Sequence, residues 1–324
     1  MKALVIGGSG FIGTSLISCL LDEGHDIVIF DKNPSKTFPE RTVLGDVRDI
    51  DSLNSVLAGV DVVYNLAAEH RDDVTPTSLY YDVNVQGAKN IVEAVEINGI
   101  RKIIFTSSVA VYGLNRPNPS EGDPTSPFNH YGKSKLQAEQ VFDDWADKGA
   151  PRSLVTVRPV VVFGEGNRGN VYNLVKQIES GRFMMVGRGE NRKSMAYVGN
   201  VARFLTDTLK FGEGRHLFNV ATKPDLTVNE LVTLIKSELG IKGKTRRLPY
   251  WAGLVGGYVF DVFAKLTGTK TSISSIRIRK FCANTAVATD ALDSIGFRSP
   301  YTIEEGLKRT IANLEQDIYF EGGG

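Results

Sequence analysis

Tyr131 and Lys135 are the first pair in this chain whose types and spacing could do chemistry. Four residues apart on a helix they share a face, so phenol and ammonium can reach one point. A phenol with its ordinary pKa near 10 is a poor base at neutral pH. A neighbouring ammonium lowers that value by favouring the phenolate. On its own the spacing is weak evidence, because a lysine one turn from a tyrosine is more often a solvated helix face. Its placement after a strand ending Phe105-Thr106-Ser107-Ser108 gives it weight.

A second constellation lies at the start of the chain. Gly7-Gly8-Ser9-Gly10-Phe11-Ile12-Gly13 follows an apolar run directly and opens a helix. Gly7 can make the tight turn, Gly10 lets backbone approach a pyrophosphate, and Gly13 allows helix and strand to pack closely. The helix N-terminus then offers N–H groups and positive potential to phosphates. Asp31 ends the next apolar run. A carboxylate there accepts from ribose hydroxyls and repels a 2′-phosphate, which favours NAD over NADP. Lys32 follows it where NADP enzymes place an Arg.

These residues need a frame. Short apolar runs at 3–6, 27–30, 60–66, 103–106 and 154–157 read as buried strands, and 11–22, 51–58, 79–97 and 131–146 as helices. Strand–helix alternation predicts an α/β fold, a Rossmann-like doubly wound parallel sheet. Further sheet-layer elements are expected at 195–209 and 216–220. Helices are expected at 171–179 and 226–239, the latter capped by Thr227. The expected division is a dinucleotide domain over 1–164 with 195–222 returning to it. A smaller substrate lobe follows over 165–194 and 223–300, then a C-terminal helix and tail over 301–324.

Composition excludes several classes. A formal charge of +1 on 324 residues gives no reason to expect nucleic acid. Two cysteines, Cys19 and Cys282, are too few for a disulfide framework and suit a reducing cytoplasm. Four scattered histidines lack metal-ligand spacing, so no metal is expected. No signal peptide or spanning helix is expected either.

Gly-x-x-Gly-x-x-Gly, Asn65-Leu66-Ala67-Ala68, Asn84, Thr106-Ser107-Ser108-x-x-Val111-Tyr112-Gly113, Tyr131-xxx-Lys135 and Arg158-Pro159 occur here in one order. In that order they resemble the extended short-chain dehydrogenase/reductases, and the likeness runs to about residue 310. The resemblance implies a catalytic set of Ser108, which hydrogen-bonds the reacting hydroxyl, Tyr131 as acid/base, and Lys135, which also holds the nicotinamide ribose. It implies that Asp46 and Val47 flank the adenine, that Leu66, Ala67, Ala68 and Asn84 line the cofactor trough, and that Pro159 joins the cofactor site. Homodimerisation through helices 79–97 and 131–146 is implied by the family alone.

Related 4,6-dehydratases carry an Asp-Glu pair after the Ser/Thr. Val109 and Ala110 stand there and cannot transfer protons. That argues for a 4-epimerase, which needs only Tyr131, Ser108 and NAD. The stretches 67–81, 128–131 and 168–174 resemble the bacterial epimerases of N-acetylglucosaminyl-diphospho-undecaprenol, which serve O-antigen synthesis. The UDP-sugar epimerase stretch Arg-Asp-(Tyr/Phe)-(Val/Ile)-His-Val-Asp-Asp reads Lys193-Ser194-Met195-Ala196-Tyr197-Val198-Gly199-Asn200, which weakens UDP recognition. Arg168, Asn170, Lys193 and Arg279 are the substrate-binding candidates.

Residues 236–280 hold ten Lys/Arg against Glu238 and Asp261, a net +8 that leaves −7 elsewhere. Tyr250 to Phe260 within it is apolar and aromatic, which suits either a buried lobe helix or a membrane interface. The leading expectation is a 4-epimerase of a lipid-diphospho-N-acetylhexosamine, peripheral to the inner face of the cell membrane. A soluble UDP-N-acetylglucosamine 4-epimerase, an alcohol- or steroid-type dehydrogenase and a non-catalytic NAD-binding regulator are the alternatives.

Overall fold

The structure, a computed structural model, describes residues 1–71, 74–149, 151–267 and 274–321. Asp72 and Asp73 of the stretch 67–81, Lys270 of the basic segment and residues 322–324 of the tail lie outside the described residues.

Seven parallel strands form the main sheet: β1 (Lys2–Ile6), β2 (Asp26–Asp31), β3 (Thr42–Leu44), β4 (Val62–Asn65), β5 (Lys102–Thr106), β6 (Ser153–Pro159) and β10 (Gly214–Val220). Their order is β10-β6-β5-β4-β1-β2-β3. The order reverses between β1 and β4, and ligands of such sheets bind beyond the strand C-termini at that point.

Successive residues of β1 serve opposite faces. Ala3 and Val5 join α1 (Phe11–Asp22) and α7 (Val198–Asp207) through Leu16, Leu20, Phe204 and Leu205. Leu4 and Ile6 join the opposite layer, made by α2 (Ile50–Asn54), α4 (Gly87–Ile97) and α5 (His130–Asp147) through Leu53, Ile91, Phe142 and Trp145. Burial on both faces is why these strands read as unbroken apolar runs.

A second sheet, β11 (Thr222–Thr227), β9 (Arg192–Tyr197) and β7 (Val161–Phe163), carries the lobe. It packs with α6 (Asn170–Glu179), α8 (Val228–Glu238) and α12 (Ile303–Glu321) in a third core. Thr227 caps α8 in a reciprocal box with Glu230. A short pair, β8 (Met185–Val186) and β12 (Arg247–Leu248), leads into α9 (Tyr250–Thr267) and α10 (Ser275–Cys282); α11 (Asp290–Ser294) follows.

Three expectations change. The element at 195–209 divides: Met195–Tyr197 ends β9 in the small sheet, and α7 follows with buried residues 198, 201, 202 and 205 at helical spacing. Within the returning segment 195–222, α7 and β10 pack with the main sheet, and Ala196 of β9 joins the same core. The helix at 79–97 is interrupted: α3 (Ser78–Tyr81) passes through a π turn at Asp82–Gln86 before α4. β3 gives no sequence signal because it is a three-residue edge strand with Val43 and Leu44 exposed.

Candidate active site

One cavity of about 1580 Å³ runs from the glycine turn to α10. Single-ligand sites span roughly 300–1,000 Å³, so this cavity has room for a dinucleotide and a second ligand.

The dinucleotide end sits at the switch point. Gly7, at φ +78°, turns the chain out of β1, and a Cβ there would come within 2.6 Å of the Ala67 amide nitrogen after β4. Only glycine allows β1 and β4 to release their loops this close together. Gly13 is confined in the same way by Gly8. Gly10 is the N-cap of α1, with no side-chain cap and no acid in the first turn, so the helix end is left to an anion. Phe11 and Ile12 line the cavity beside it.

The Asp31 carboxylate accepts from the backbone N–H of Ser9 at 3.1 Å and of Asn33 at 3.0 Å. Two bonds leave lone pairs for ribose hydroxyls. Asp46 and Val47 also line the cavity. A two-pronged bond from Arg48, at 3.0 and 2.7 Å, holds the Asp46 carboxyl below the usual carboxylate range. Leu66, Ala67, Ala68 and Pro159 line it too.

Asn84 does not line the cavity. Its amide grips the Glu69 backbone, accepting from N–H at 2.9 Å and donating to C=O at 3.0 Å, and donates to Ser134 Oγ at 2.9 Å. The π turn carries it inward, so it shapes the 65–69 loop from behind.

The three residues expected to be catalytic meet at the C-terminal edge of β5 and β6. Ser108 caps a single 3₁₀ turn (Val109–Tyr112), accepting from Ala110 N–H at 3.2 Å, and its side chain lies close enough to the Tyr131 phenol to lower that phenol's pKa. α5 brings Tyr131 there because Gly132 has no side chain. A Cβ at 132 would lie 2.6 Å from the Ala110 carbonyl oxygen.

Lys135, one turn on, is buried and donates to the Thr106 carbonyl at 2.8 Å. Its ammonium lies 4.8 Å from the Phe105 ring centroid. Burial pushes its pKa down to about 7, against the pull of Glu139. Burial likewise raises the Tyr131 phenol, which Ser108 only partly offsets. A phenolate here therefore needs added positive charge, which an oxidised nicotinamide ring would supply if bound beside it. Beneath the set, Arg158 and Glu139 form a buried pair at 2.9 and 2.7 Å, and Arg158 donates to Tyr112 Oη at 2.7 Å.

These residues fit a dinucleotide on the structure's own terms. The turn has no space for a Cβ, the helix end is uncapped, and an oriented carboxylate stands at the ribose position. The buried Ser107 hydroxyl, which lines the cavity, has no partner among the described residues.

The substrate candidates divide. Asn170, at the start of α6, lines the cavity. Arg168 is exposed and is not among the lining residues. Lys193 lines it, but its ammonium donates to the carbonyls of Lys280 at 2.7 Å and Ala283 at 2.8 Å, and burial lowers its pKa to about 8. It fastens the end of α10. Arg279 points away, bonding the Tyr258 hydroxyl. Arg277 and Lys280 line the cavity instead, with Arg182. Residues three apart share a helix face, whereas 279 lies about 200° round from 277. That phase was the signal the sequence reading missed.

Residues 3–221 match the NAD dependent epimerase/dehydratase family. The N-acetyl-alpha-D-glucosaminyl-diphospho-ditrans,octacis-undecaprenol 4-epimerase of Escherichia coli O157:H7 is 54% identical over 312 residues, covering 96% of this chain and 94% of that protein. The structure of MoeE5 in complex with UDP-glucose and NAD superposes with a TM-score of 0.77 at 26% identity, covering 98% of this chain and 100% of the other. The UDP-N-acetylglucosamine 4-epimerase of Bacillus cereus, at 18% identity and a TM-score of 0.78 over 97% and 96% of the chains, shares the fold. The glycine turn, the oriented acid and the Ser-Tyr-Lys set thus sit in a chain that belongs to the NAD-dependent epimerase/dehydratase family, and its cofactor is NAD.

Proposed function

We propose that this protein is the 4-epimerase that interconverts N-acetylglucosaminyl- and N-acetylgalactosaminyl-diphospho-undecaprenol at a membrane face, for surface polysaccharide such as O-antigen. The carrying observation is the 54% identity to the E. coli enzyme of that name over nearly the whole chain. NAD, when bound, supplies the acceptor and later the donor of the C4 hydride. Tyr131 takes the C4 hydroxyl proton and later returns it, Ser108 hydrogen-bonds that oxygen, and Lys135 favours the phenolate. The 4-keto sugar turns between the two steps, so no net oxidation remains. Val109 and Ala110 line the cavity beside Ser108 and bring no proton-transferring group, which disfavours dehydration.

The lobe supports a lipid-linked substrate. The outward side of α9 presents Trp251 (70% exposed), Val255 (57%), Val259 (63%) and Phe263 (52%), with Lys265, Arg246 and Arg279 exposed nearby. Exposed apolar patches of this kind mark interaction surfaces, and flanking cations suit anionic lipid. No helix among the described residues is long and apolar enough to cross a membrane, and the contact proposed is a peripheral one. Inside the cavity, Lys280 lies 5.5 Å from the Phe128 ring, three residues before Tyr131, where a sugar diphosphate would need a cation.

The test offers N-acetylglucosaminyl-diphospho-undecaprenol in vesicles and UDP-N-acetylglucosamine in parallel, releases the sugar by mild acid and separates the epimers. The expected result is N-acetylgalactosamine from the lipid substrate without accumulation of NADH. Turnover of the UDP-sugar alone would establish the soluble UDP-sugar epimerase instead.

A further inference from the structure

The cavity does not end at the sugar site; it continues along α9. Ala252, Gly256 and Phe260 succeed one another by one helical turn and all line it, with Ile278 of α10 opposite. Phe260 is also 41% exposed, which places a mouth of the cavity at that turn.

The glycines of α9 differ in their surroundings. A Cβ on Gly253 would lie 2.5 Å from Val186 Cγ1, and one on Gly257 would lie 2.8 Å from Ser275 Cα. Those two are required by packing against β8 and α10. Gly256 is not, since a Cβ there would meet nothing within 4 Å. Its missing side chain leaves open space in the cavity wall, one helical turn from Phe260.

We infer that Gly256 is an aperture for the substrate's polyisoprenyl chain, and that the first isoprene units pass over it on their way from the diphosphate to the exposed apolar side of α9. The inference rests on the lipid-linked reading above. The occupant is argued from continuity. One unbroken cavity joins Tyr131 to α9, cations of α10 flank it, and the helix bounding its end carries apolar side chains on its outer side. A nucleoside would call for hydrogen-bonding groups along α9, whereas α9 lines the cavity with Ala252, Gly253, Gly256 and Phe260 only; the polar residues at this end, Ser274 and Arg277, lie on the side of α10.

Gly256→Leu fills the aperture, and leucine is a better helix former than glycine, so the helix is not weakened. The holoenzyme is assayed with the undecaprenyl-linked sugar and with the same sugar diphosphate bearing only a methyl group. The expected result is a fall in kcat/KM of at least tenfold on the long-chain substrate, with a much smaller change on the methyl one. Wild-type kcat/KM should also rise as isoprene units are added, and the variant should lose that dependence. Equal kcat/KM of variant and wild type on the long chain would overturn the aperture while leaving the lipid-linked reading intact. An equal fall on both substrates would also overturn it, since the residue would then act on the sugar site or the fold. Failure of the wild type on any lipid-linked sugar would remove both readings. Ala252→Leu, one turn away on the same wall, provides a second variant with the same expected pattern.

Discussion

The sheet domain and the α9–α10 corner meet the same cavity, yet they hold their functional groups by different means. At the sheet edge buried polar contacts hold the site. Lys135 is tied to the Thr106 carbonyl, Tyr131 stands beside Ser108, and α5 is tied to β6 through Glu139 and Arg158. In the corner, cations sit on a short helix with no fully buried side chain, and α9 turns large apolar groups outward. Proton and hydride transfer tolerate little positional error, whereas a lipid chain needs a surface and a passage. On the function proposed above, chemistry belongs to the sheet edge with its buried contacts and substrate choice to the corner.

The comparison can be broken first at its buried pair. Arg158→Met leaves the Glu139 carboxylate without its partner beneath the catalytic helix. Removing one member of such a pair costs about 3–5 kcal/mol. A large drop in the urea midpoint is expected, and an unchanged midpoint would show that the sheet domain is not held as described. A smaller effect in energy is expected from Tyr131→Phe, which removes one hydroxyl and keeps the ring. Turnover should fall by at least ~10²-fold, the usual scale for an acid–base group, with NAD binding retained. Near-normal turnover would move the proton transfer to another residue.

The same division explains what could be read from the sequence. The glycine turn, Asp31, Ser108 and the Tyr-Lys pair are local patterns on long elements whose periodicity is strong, so their meeting place follows from a parallel sheet. Asn84, placed in the cofactor trough by resemblance, stands behind the 65–69 loop, where the π turn carries it inward. Arg279 is the expected substrate residue, yet Arg277 and Lys280 line the cavity, because an eight-residue helix among many cations gives little phase information. Lys193 stands in the cavity wall, but its partners are carbonyls 87 and 90 residues away, beyond local reading. The outer side of α9 was legible only as apolar composition, since a buried helix and an interfacial one share it.

The most direct test of the division replaces Trp251 and Val259 together with glutamate. Both are exposed, so the fold should tolerate the change within about 0.5 kcal/mol. The variant should bind NAD and melt as the wild type does, should fail to float with anionic vesicles, and should lose at least tenfold in turnover of vesicle-borne N-acetylglucosaminyl-diphospho-undecaprenol. Full turnover with the two glutamates in place would contradict the assignment of substrate choice to this corner.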